Sequence, residues 1–269
     1  MEYGFTRPQE ASEDPLYMIR GSELHLAREL EIEKDEVVVI DIESEEDMLA
    51  IKLLKLYEYL INIHELKICR EVPIFGWIGD LFLMGKIDEL RWKEDDNSIE
   101  LSEFKTRTKL VLPGKAQQDT HKLQIMIYQY LMTKLEGIDV DTFCDTVHLS
   151  KDKQFSSGVL EHCPDQVVCL GDLLDLIKQA ALVPDLNVKT LIIEYSGQEK
   201  DAVFAKIQVE YNEDWLLKNV LKCQEYWLGQ RFAQGVDIED AWKCSLCTFA
   251  DNCDWRRAKV RELMQQNVK

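Results

Sequence analysis

The sequence has few residues that interrupt regular structure, with 6 prolines and 12 glycines among 269 positions. It has no internal repeat, no low-complexity tract and no linker rich in proline, glycine or serine. Because 46% of the residues are hydrophobic, a chain of this length can bury a substantial core. These features predict one α/β domain over residues 1–269.

Long apolar runs are also missing, including any apolar segment close to the N-terminus. The first twenty residues mix acids and bases, unlike the acid-poor presequences of mitochondrial proteins. We therefore expect a soluble, intracellular chain without a membrane partner, in which structural disulfides are rare.

Basic residues are too few to balance the acids, since 32 Lys and Arg face 50 Asp and Glu and leave a net charge of −18. Phosphate contacts dominate affinity for nucleic acid, so this excess argues at first against such a ligand. One segment reverses the sign. Between positions 105 and 122 a single acid, Asp119, opposes five basic residues, namely Lys105, Arg107, Lys109, Lys115 and Lys122. The pattern predicts an acidic surface with a basic channel. It also predicts that salt weakens the binding of nucleic acid.

An aspartate and a Glu-x-Lys pair lie in two neighbouring apolar segments. Asp88 is in the first, and Glu103 with Lys105 is in the second. The midpoint of positions 88 and 103 falls in the turn-like stretch 94–98, so a symmetric antiparallel hairpin places Asp88 opposite Glu103. Opposed side chains have Cβ atoms about 5 Å apart, close enough for one hard cation to bridge both carboxylates.

Alternate residues of a strand share a face, so Glu103 and Lys105 point the same way and Phe104 points into the core. The Phe104 carbonyl then lies near the same edge as a third oxygen ligand. Such ligands hold Mg²⁺ or Mn²⁺, which can activate water and neutralise a phosphodiester, and Lys105 adds a compact positive charge. The alternative is a solvated hairpin. The acid pair and the lysine together favour a catalytic site, because charges in apolar runs are costly to bury without a role.

A helix is predicted after the break at Pro113 and Gly114, from Lys115 to about Leu135. The apolar stripe of this helix is predicted to be Leu123, Ile127, Tyr130 and Leu131. A second face, predicted to look back at the acid pair, carries Gln117, His121, Gln124 and Tyr128. There Gln124 would bond a phosphate or base edge and Tyr128 would stack on or bond the strand, the alternative for Tyr128 being packing on its own helix.

The remaining elements follow from periodicity and turn signals. We predict helices near 22–33, 46–63, Asp172–Leu182 and 213–230, and strands near Val37–Ile42, 67–75, 81–91, 99–108, Thr142–Ser150, Val188–Tyr195 and Val203–Val209.

Eight cysteines divide into two groups. The scattered ones are expected to be buried or free thiols: Cys69, Cys144, Cys163, Cys169 and Cys223. The other three form the run Cys244-x-x-Cys247-x5-Cys253 between Trp242 and Trp255, a spacing typical of three ligands of one metal centre. Zinc and an iron–sulfur cluster both fit these ligands.

Taken in order, these motifs resemble those of the RecB-type nucleases of the PD-(D/E)XK superfamily. The matching pieces are Gly21-x-x-x-His25, Gly85-x-Ile-Asp88, Glu103-x-Lys105-Thr-Arg107 and Gln124-x-x-x-Tyr128. With the cysteine run the chain more closely resembles the eukaryotic exonuclease V family, through residues 19–30, 85–90, 103–107 and 236–256.

The resemblance implies a PD-(D/E)XK restriction-endonuclease-like α/β core, with a central mixed sheet flanked by helices and a C-terminal cysteine cluster loop at 240–257. It implies a monomeric, metal-dependent exonuclease that hydrolyses single-stranded DNA in repair, in the nucleus or cytoplasm, with the mitochondrion as alternative. A single-strand-binding protein is a further expected partner. A non-catalytic nucleic-acid-binding module stapled by a Cys-ligated metal, and a structural zinc protein that binds protein partners, are the competing hypotheses.

The resemblance also assigns roles to residues. His25, Asp88, Glu103 and the Phe104 carbonyl would hold Mg²⁺ or Mn²⁺, with Glu71 matching a further glutamate near the site. Lys105 would be catalytic with Asp88 and Glu103, while Arg107, Gln124 and Tyr128 would bind the substrate.

A 4Fe-4S cluster would be held by Cys244, Cys247 and Cys253. Its fourth ligand in the family precedes the His25 helix, about where Met1 stands here, so that ligand is not identified. A truncated start, an incomplete cluster and substitution by Cys69 are the alternatives.

Overall fold

The computed structural model describes residues 16–32, 40–182, 186–198, 202–236 and 238–266. The chain divides into two compact units, one of Pro15–Asn219 and one of Met1–Asp14 with Val220–Lys269. A single nuclease domain over 1–269 stays a prediction. Within the described segments, no helix combines the length and the apolar character needed to cross a membrane.

The larger unit is a mixed α/β fold around a sheet that, in the described residues, has five strands in the order β1-β2-β3-β4-β5. The strands are β1 (Ile68–Ile78), β2 (Leu81–Lys93), β3 (Ser98–Arg107), β4 (Val188–Gly197) and β5 (Val203–Val209). β3 and β4 are parallel, and the other neighbouring pairs are antiparallel. The parallel pair needs a long crossover, which most of the helices supply.

The helices of this unit precede, connect and follow the strands. They are α1 (Leu16–Ile32), α2 (Glu45–Leu66), α3 (Lys115–Lys134), α4 (Val140–Val147), α5 (Ser157–Leu160), α6 (Leu170–Ala181) and the first part of α7 (Glu213–Trp227), which continues beyond Asn219. A short 3-10 turn, Leu135–Gly137, follows α3. Of these, α2 packs on α6 and β1, whereas α3 packs on β1, β3 and β4.

Helix α2 illustrates how the sequence builds the core. The Ser44 hydroxyl accepts a hydrogen bond from Asp47 N at 3.2 Å and caps the helix. Every third or fourth residue is then a buried aliphatic one: Leu49, Leu53, Leu56, Leu60 and Ile63. Burying a side chain of this size contributes roughly 1.5–3 kcal/mol relative to leaving it in water. The helix ends at Leu66, and the φ of 63° at the next residue, Lys67, turns the chain into β1.

The register of the central hairpin confirms the prediction made from the turn. Pairing runs from Lys93 with Ser98 back to Glu89 with Ser102, and Asp96 lies in the exposed turn. The pairing stops at Glu89 with Ser102, and the same alignment continued by one position would set Asp88 opposite Glu103. The Asp88 carboxylate accepts a hydrogen bond from Phe104 N at 2.6 Å, which anchors it beside the third strand.

The predicted strand Thr142–Ser150 is wrong, because this segment contains helix α4. Asp139 caps the helix by accepting a hydrogen bond from Thr142 N at 2.8 Å. Phe143 is fully buried, and His148 ends the helix with a left-handed φ of 58°. The cap and the tertiary contact of Phe143 outweigh the strand propensity of the threonines and Val147.

The predicted apolar stripe of α3 is also wrong, apart from Leu131. The buried residues of this helix are His121, Ile125, Met126, Leu131 and Met132. Leu123 and Tyr130 are only half-buried. The half-buried Gln124 and Tyr128 lie on the side of this helix that meets β2 and β3, and their partial burial is tolerated because they are hydrogen bonded.

The other predicted elements agree with the structure within three residues at each end, except the helix 22–33, which begins at Leu16, and the strand Val37–Ile42. Positions 37–39 lie outside the described residues, and 40–42 have no regular structure.

The smaller unit contains the cysteine run. Two 3-10 segments, Ile238–Leu246 and Ala250–Asn252, precede helix α8 (Asp254–Gln266). Cys247 N donates to Cys244 O at 3.4 Å, and Ala250 N donates to Cys247 O at 3.0 Å. Gly235 lies directly under the Trp255 ring, where an added Cβ would come within 2.1 Å of Cδ2.

Candidate active site

Helix α1 brings His25 to the sheet and is held there mainly by polar contacts. Arg70 of β1 donates to the Arg28 carbonyl and to Glu31 at 2.9 Å, while Arg70 Nε pairs with buried Glu89 at 2.9 Å. Gly21 allows α1 to approach β3, since an added Cβ would lie 3.2 Å from the Thr106 hydroxyl. This close approach explains the glycine of the Gly-x-x-x-His motif.

Three ligand-type side chains converge where α1 crosses β1 and β2. His25 Nδ1 lies 3.5 Å from a Glu71 carboxylate oxygen and 3.8 Å from an Asp88 carboxylate oxygen. One ligand atom from each of the three lies within 4.8 Å of the others, a spacing that allows one metal ion to be held. Glu71 has a φ of 49°, the left-handed region, inside an otherwise extended strand.

Glu103 and Lys105 lie on β3 next to this group and share a face, as predicted. Lys105 Nζ lies 2.5 Å from Glu103 Oε1 and donates to Gln124 Oε1 at 3.0 Å. Glu103 is only 1% exposed, and its second carboxylate oxygen is buried without a hydrogen-bond partner among the residues that the structure describes. Phe104 is buried as predicted, with the Arg28 guanidinium stacked 3.4 Å from its ring centroid.

Helix α3 completes the site from the other side of Lys105. Gln124 Nε2 donates to the Tyr128 hydroxyl at 3.1 Å, so the lysine, the amide and the phenol form one chain of hydrogen bonds. The Tyr128 ring lies over Gly85, where an added Cβ would meet Cε1 at 3.0 Å. The glycine of the Gly-x-Ile-Asp motif is therefore required by the approach of this ring.

Two further residues of the predicted polar face reach other partners. Gln117 accepts a hydrogen bond from Arg107 Nη1 at 3.2 Å. His121 is buried against Tyr195, with Nδ1 3.0 Å from the Tyr195 hydroxyl. Burial and the nearby Lys105 and Arg107 lower the pKa of His121 to about 4, so this imidazole is neutral near neutral pH.

The electrostatics of the acid group are those of carboxylates withdrawn from water. Burial, followed by the neighbouring Asp88 carboxylate, raises the pKa of Glu103 to about 7. Burial likewise raises the pKa of Asp88. The hydrogen bond between His25 and Glu71 raises the pKa of the histidine and lowers the pKa of the glutamate. Two buried acids this close favour a cation, because a bound cation would stabilise both in their ionised form.

These residues fit a divalent metal ion. The donor set combines carboxylate oxygens with one imidazole, and the unpartnered Glu103 oxygen is a buried acceptor that a cation or its water would satisfy. Glu103 does not belong to the set of His25, Glu71 and Asp88 whose ligand atoms lie within 4.8 Å of one another. In the described residues, the three cysteine sulfurs of the smaller unit do not form a set at this spacing either.

A cleft of about 570 Å³ opens over this group. Its lining includes His25, Glu71, Asp88 and Lys105, together with Thr106 and Gln198. Gln198 was not predicted, because it enters from the end of β4 and only the parallel pairing of β3 with β4 places it here. Glu71 was matched through the resemblance alone, since its left-handed backbone breaks the alternation that would have indicated its direction.

The fold and the site define a mixed α/β protein with a histidine–carboxylate group whose spacing could hold a metal ion, and with an adjacent lysine. The chain matches the family model described as "Exonuclease V - a 5' deoxyribonuclease" over residues 1–103, 93–168 and 169–256. It is 31% identical over 252 residues to the Exonuclease V of Danio rerio. The chain belongs to the exonuclease V family.

The match to the zebrafish protein covers 91% of this chain and 63% of that relative, so the chain spans less than two thirds of the relative's length. The solved structure named "Crystal structure of SSO0001" shares 13% identity, with 87% of this chain and 96% of that chain covered and a TM-score of 0.34.

Proposed function

We propose that this chain is a metal-dependent deoxyribonuclease that hydrolyses the phosphodiester bonds of single-stranded DNA from an end, in DNA repair. The observation that carries the proposal is the convergence of His25, Glu71, Asp88 and Lys105 in the lining of one cleft, with the buried Glu103 paired to that lysine. Membership of the exonuclease V family supports the same activity.

Mg²⁺ or Mn²⁺ is the proposed metal, held by His25, Glu71 and Asp88 with Glu103 and the Phe104 carbonyl close by. When bound, the ion would supply a Lewis acid that neutralises phosphodiester charge and makes water a better nucleophile. The protein orients its carboxylates for this role in advance, since the Phe104 amide fixes Asp88 and the Lys105 ammonium fixes Glu103.

Lys105 is the proposed catalytic cation. Glu103 and Gln124 hold its ammonium group in place, so it can attract a phosphate oxygen without first losing side-chain freedom. The hydrogen bond from Gln124 to Tyr128 keeps the amide oxygen turned towards the lysine. Gln124 and Tyr128 therefore position Lys105 in addition to their proposed contacts with the strand.

The basic segment after β3 is the proposed path of the DNA. Arg107 continues the strand that carries Lys105, and Lys109, Lys115 and Lys122 follow it. This segment is compatible with a polyanion despite the net charge of −18, because screening in salt limits the reach of the acidic surface to about 10 Å. A PD-(D/E)XK-type core and a monomer are part of the proposal, with a single-strand-binding protein as a further partner.

Cys244, Cys247 and Cys253 are proposed ligands of a 4Fe-4S cluster. Their support is the short spacing and the paired backbone hydrogen bonds that link Cys244 to Cys247 and Cys247 to Ala250. Iron and sulfide analysis of anaerobically purified protein, with zinc measured in parallel, distinguishes this cluster from a zinc centre.

The activity is tested with end-labelled single-stranded DNA and Mg²⁺, with EDTA added to a parallel reaction. Asp88→Asn should abolish release of the label, whereas Asp95→Asn, in the exposed turn of the same hairpin, should not. Folding of both variants is checked by thermal unfolding. Loss of label in EDTA, or equal cleavage by wild type and Asp88→Asn, would contradict this site as the metal-dependent centre.

A further inference from the structure

Three consecutive aliphatic side chains are exposed in the loop that follows β3. Leu110 is 64% exposed, Val111 is 58% exposed and Leu112 is 44% exposed. The loop has a defined shape, because Val111 N donates to the Lys109 carbonyl at 2.8 Å and Gln118 donates to the Pro113 carbonyl at 2.7 Å. Single exposed aliphatics are common on proteins, but an adjacent run held at the surface indicates a contact.

This loop lies at the rim of the active-site cleft. The Leu110 side chain covers Gly197, where an added Cβ would come within 2.5 Å of Leu110 Cδ2. The next residue, Gln198, donates through its backbone to the Arg107 carbonyl at 3.0 Å and lines the cleft with Thr106. The path from the cleft to the loop is thus Thr106, Gln198, Gly197 and Leu110.

Basic side chains flank the apolar run on both sides. Lys109 precedes it, and Lys115 follows Pro113 and Gly114. Lys115 also lies 3.3 Å from Asp119, but both are solvent-exposed, and such a pair contributes little. Arg107 has a buried Nε without a hydrogen-bond partner in the described residues. Apolar surface between cations matches a single nucleic-acid strand, which presents base faces between phosphates.

We propose that Leu110, Val111 and Leu112 form a base-contacting rim that receives the bases of the single strand entering the cleft, while Lys109 and Lys115 contact its phosphates. The choice of DNA as the ligand rests on the proposed function. In a duplex the base faces are stacked on one another, so the rim would gain contact only from an unpaired strand. The loop thereby contributes a preference for single-stranded ends that needs no contact with the reacting phosphate.

The test separates base contacts from phosphate contacts. A labelled 15-residue thymidine oligonucleotide is compared, by fluorescence anisotropy in EDTA, with one of equal length whose central residues are abasic. The double substitution Val111→Ser and Leu112→Ser should weaken binding of the thymidine strand about fivefold, because it removes two aliphatic side chains that the bound bases would partly bury. The same variant should leave binding of the abasic strand unchanged. Lys109→Ala should weaken both strands.

Leu182→Ser is the matched control, since Leu182 is 62% exposed on the same unit and outside the cleft lining. It should bind both strands as the wild type does. Equal affinity of the wild type for the two strands, or an equal loss for both in the loop variant, would overturn the rim. An unchanged affinity together with a change in oligomeric state would also overturn it, and would assign the loop to a protein contact.

Failure of the rim is distinguishable from failure of the nuclease, because the binding assay runs without metal and without cleavage. Cleavage by the wild type with unaltered binding in the loop variant overturns only the rim. Strand-selective loss of binding without any cleavage by the wild type supports the rim and overturns the proposed activity.

Discussion

Glu71 faces Asp88 across β1 and β2 from a backbone φ of 49°. The register of the two strands is the same before and after this position, since Arg70 pairs with Glu89 and Val72 pairs with Ile87. Glu71 and Asp88 therefore occupy opposed positions at the one point between them where the pairing is interrupted. A left-handed conformation costs a residue with a Cβ about 1 kcal/mol. The strand accepts this cost at the position where Glu71 meets His25.

This strain gives the first prediction, in which stability and activity separate at one position. Glu71→Gly and Glu71→Ala remove the same carboxylate, but only glycine adopts a φ of 49° without strain. We expect Glu71→Gly to be more stable than Glu71→Ala by about 0.5–1 kcal/mol in urea unfolding. Both variants should lose metal-dependent cleavage.

The control for this comparison is Lys189, an exposed residue of β4 without a positive φ. There Lys189→Gly should be less stable than Lys189→Ala, because glycine weakens an ordinary strand. The same order of stability at both positions would show that the left-handed backbone of Glu71 is not strained.

A second prediction concerns the contact between Gly85 and Tyr128. In Gly85→Ala the new Cβ would lie 3.0 Å from Tyr128 Cε1 and 3.2 Å from its hydroxyl, so the ring must shift. Because Tyr128 holds Gln124, and Gln124 holds Lys105, we expect cleavage to slow about tenfold through misplacement of the lysine. Gly137→Ala, where an added Cβ meets nothing within 4 Å, should cleave at the wild-type rate. An unaltered rate in Gly85→Ala would mean that the ring can move without disturbing the site.

The hairpin that carries Asp88 and Glu103 was predictable because two local signals agreed. The turn residues defined the centre, and the alternation of apolar residues defined the faces. The packing face of α3 was not predictable from hydrophobicity, because it carries the buried His121 and the half-buried Gln124, which are hydrogen bonded to Tyr195 and Lys105. Those partners are distant in sequence.

The remaining features of the site depend on tertiary contacts for the same reason. The direction of Glu71 follows from an unusual backbone angle, and the place of Gln198 follows from the parallel pairing of β3 with β4. Helix α4 depends on the burial of Phe143 against Phe75, whose rings lie 4.7 Å apart. None of these contacts leaves a periodic signal in the chain.

A third prediction tests the buried carboxylate at the start of α2. Asp47 is 1% exposed and accepts hydrogen bonds at 3.0 Å from the backbone N–H groups of Glu43 and Ser156, which joins α2 to the segment before α5. Asp47→Ala leaves both donors unsatisfied and should destabilise the fold by about 2–4 kcal/mol. Glu45→Ala, at an exposed position two residues earlier in the same helix, should change stability by less than about 0.5 kcal/mol. Urea unfolding at pH 7.5 measures both, and equal effects would contradict the bridging role of Asp47.

The fourth prediction is a dependence of stability on pH through His121. Its pKa is lowered to about 4 in the fold, by burial and by Lys105 and Arg107, from an ordinary value near 6.5. The Tyr195 hydroxyl, 3.0 Å away, is its hydrogen-bond partner and is uncharged in this range. Since the unfolded chain binds the proton more readily, this group favours folding fully above pH 6.5. That contribution declines as the pH falls towards 4, by about 1–3 kcal/mol in total.

His121→Gln removes this proton-binding group while retaining a side chain that can bond the Tyr195 hydroxyl. The free energy of unfolding of the variant should therefore fall less than that of the wild type between pH 7 and pH 4.5, although it starts from a lower value. His162→Gln, at an exposed position, should follow the wild-type curve. Acidic groups with lowered pKa values, such as Asp47, also reduce the free energy of unfolding when they are protonated in acid, and this effect is the same in all three proteins. Parallel curves for the wild type and His121→Gln would therefore show that His121 is not held neutral by the fold.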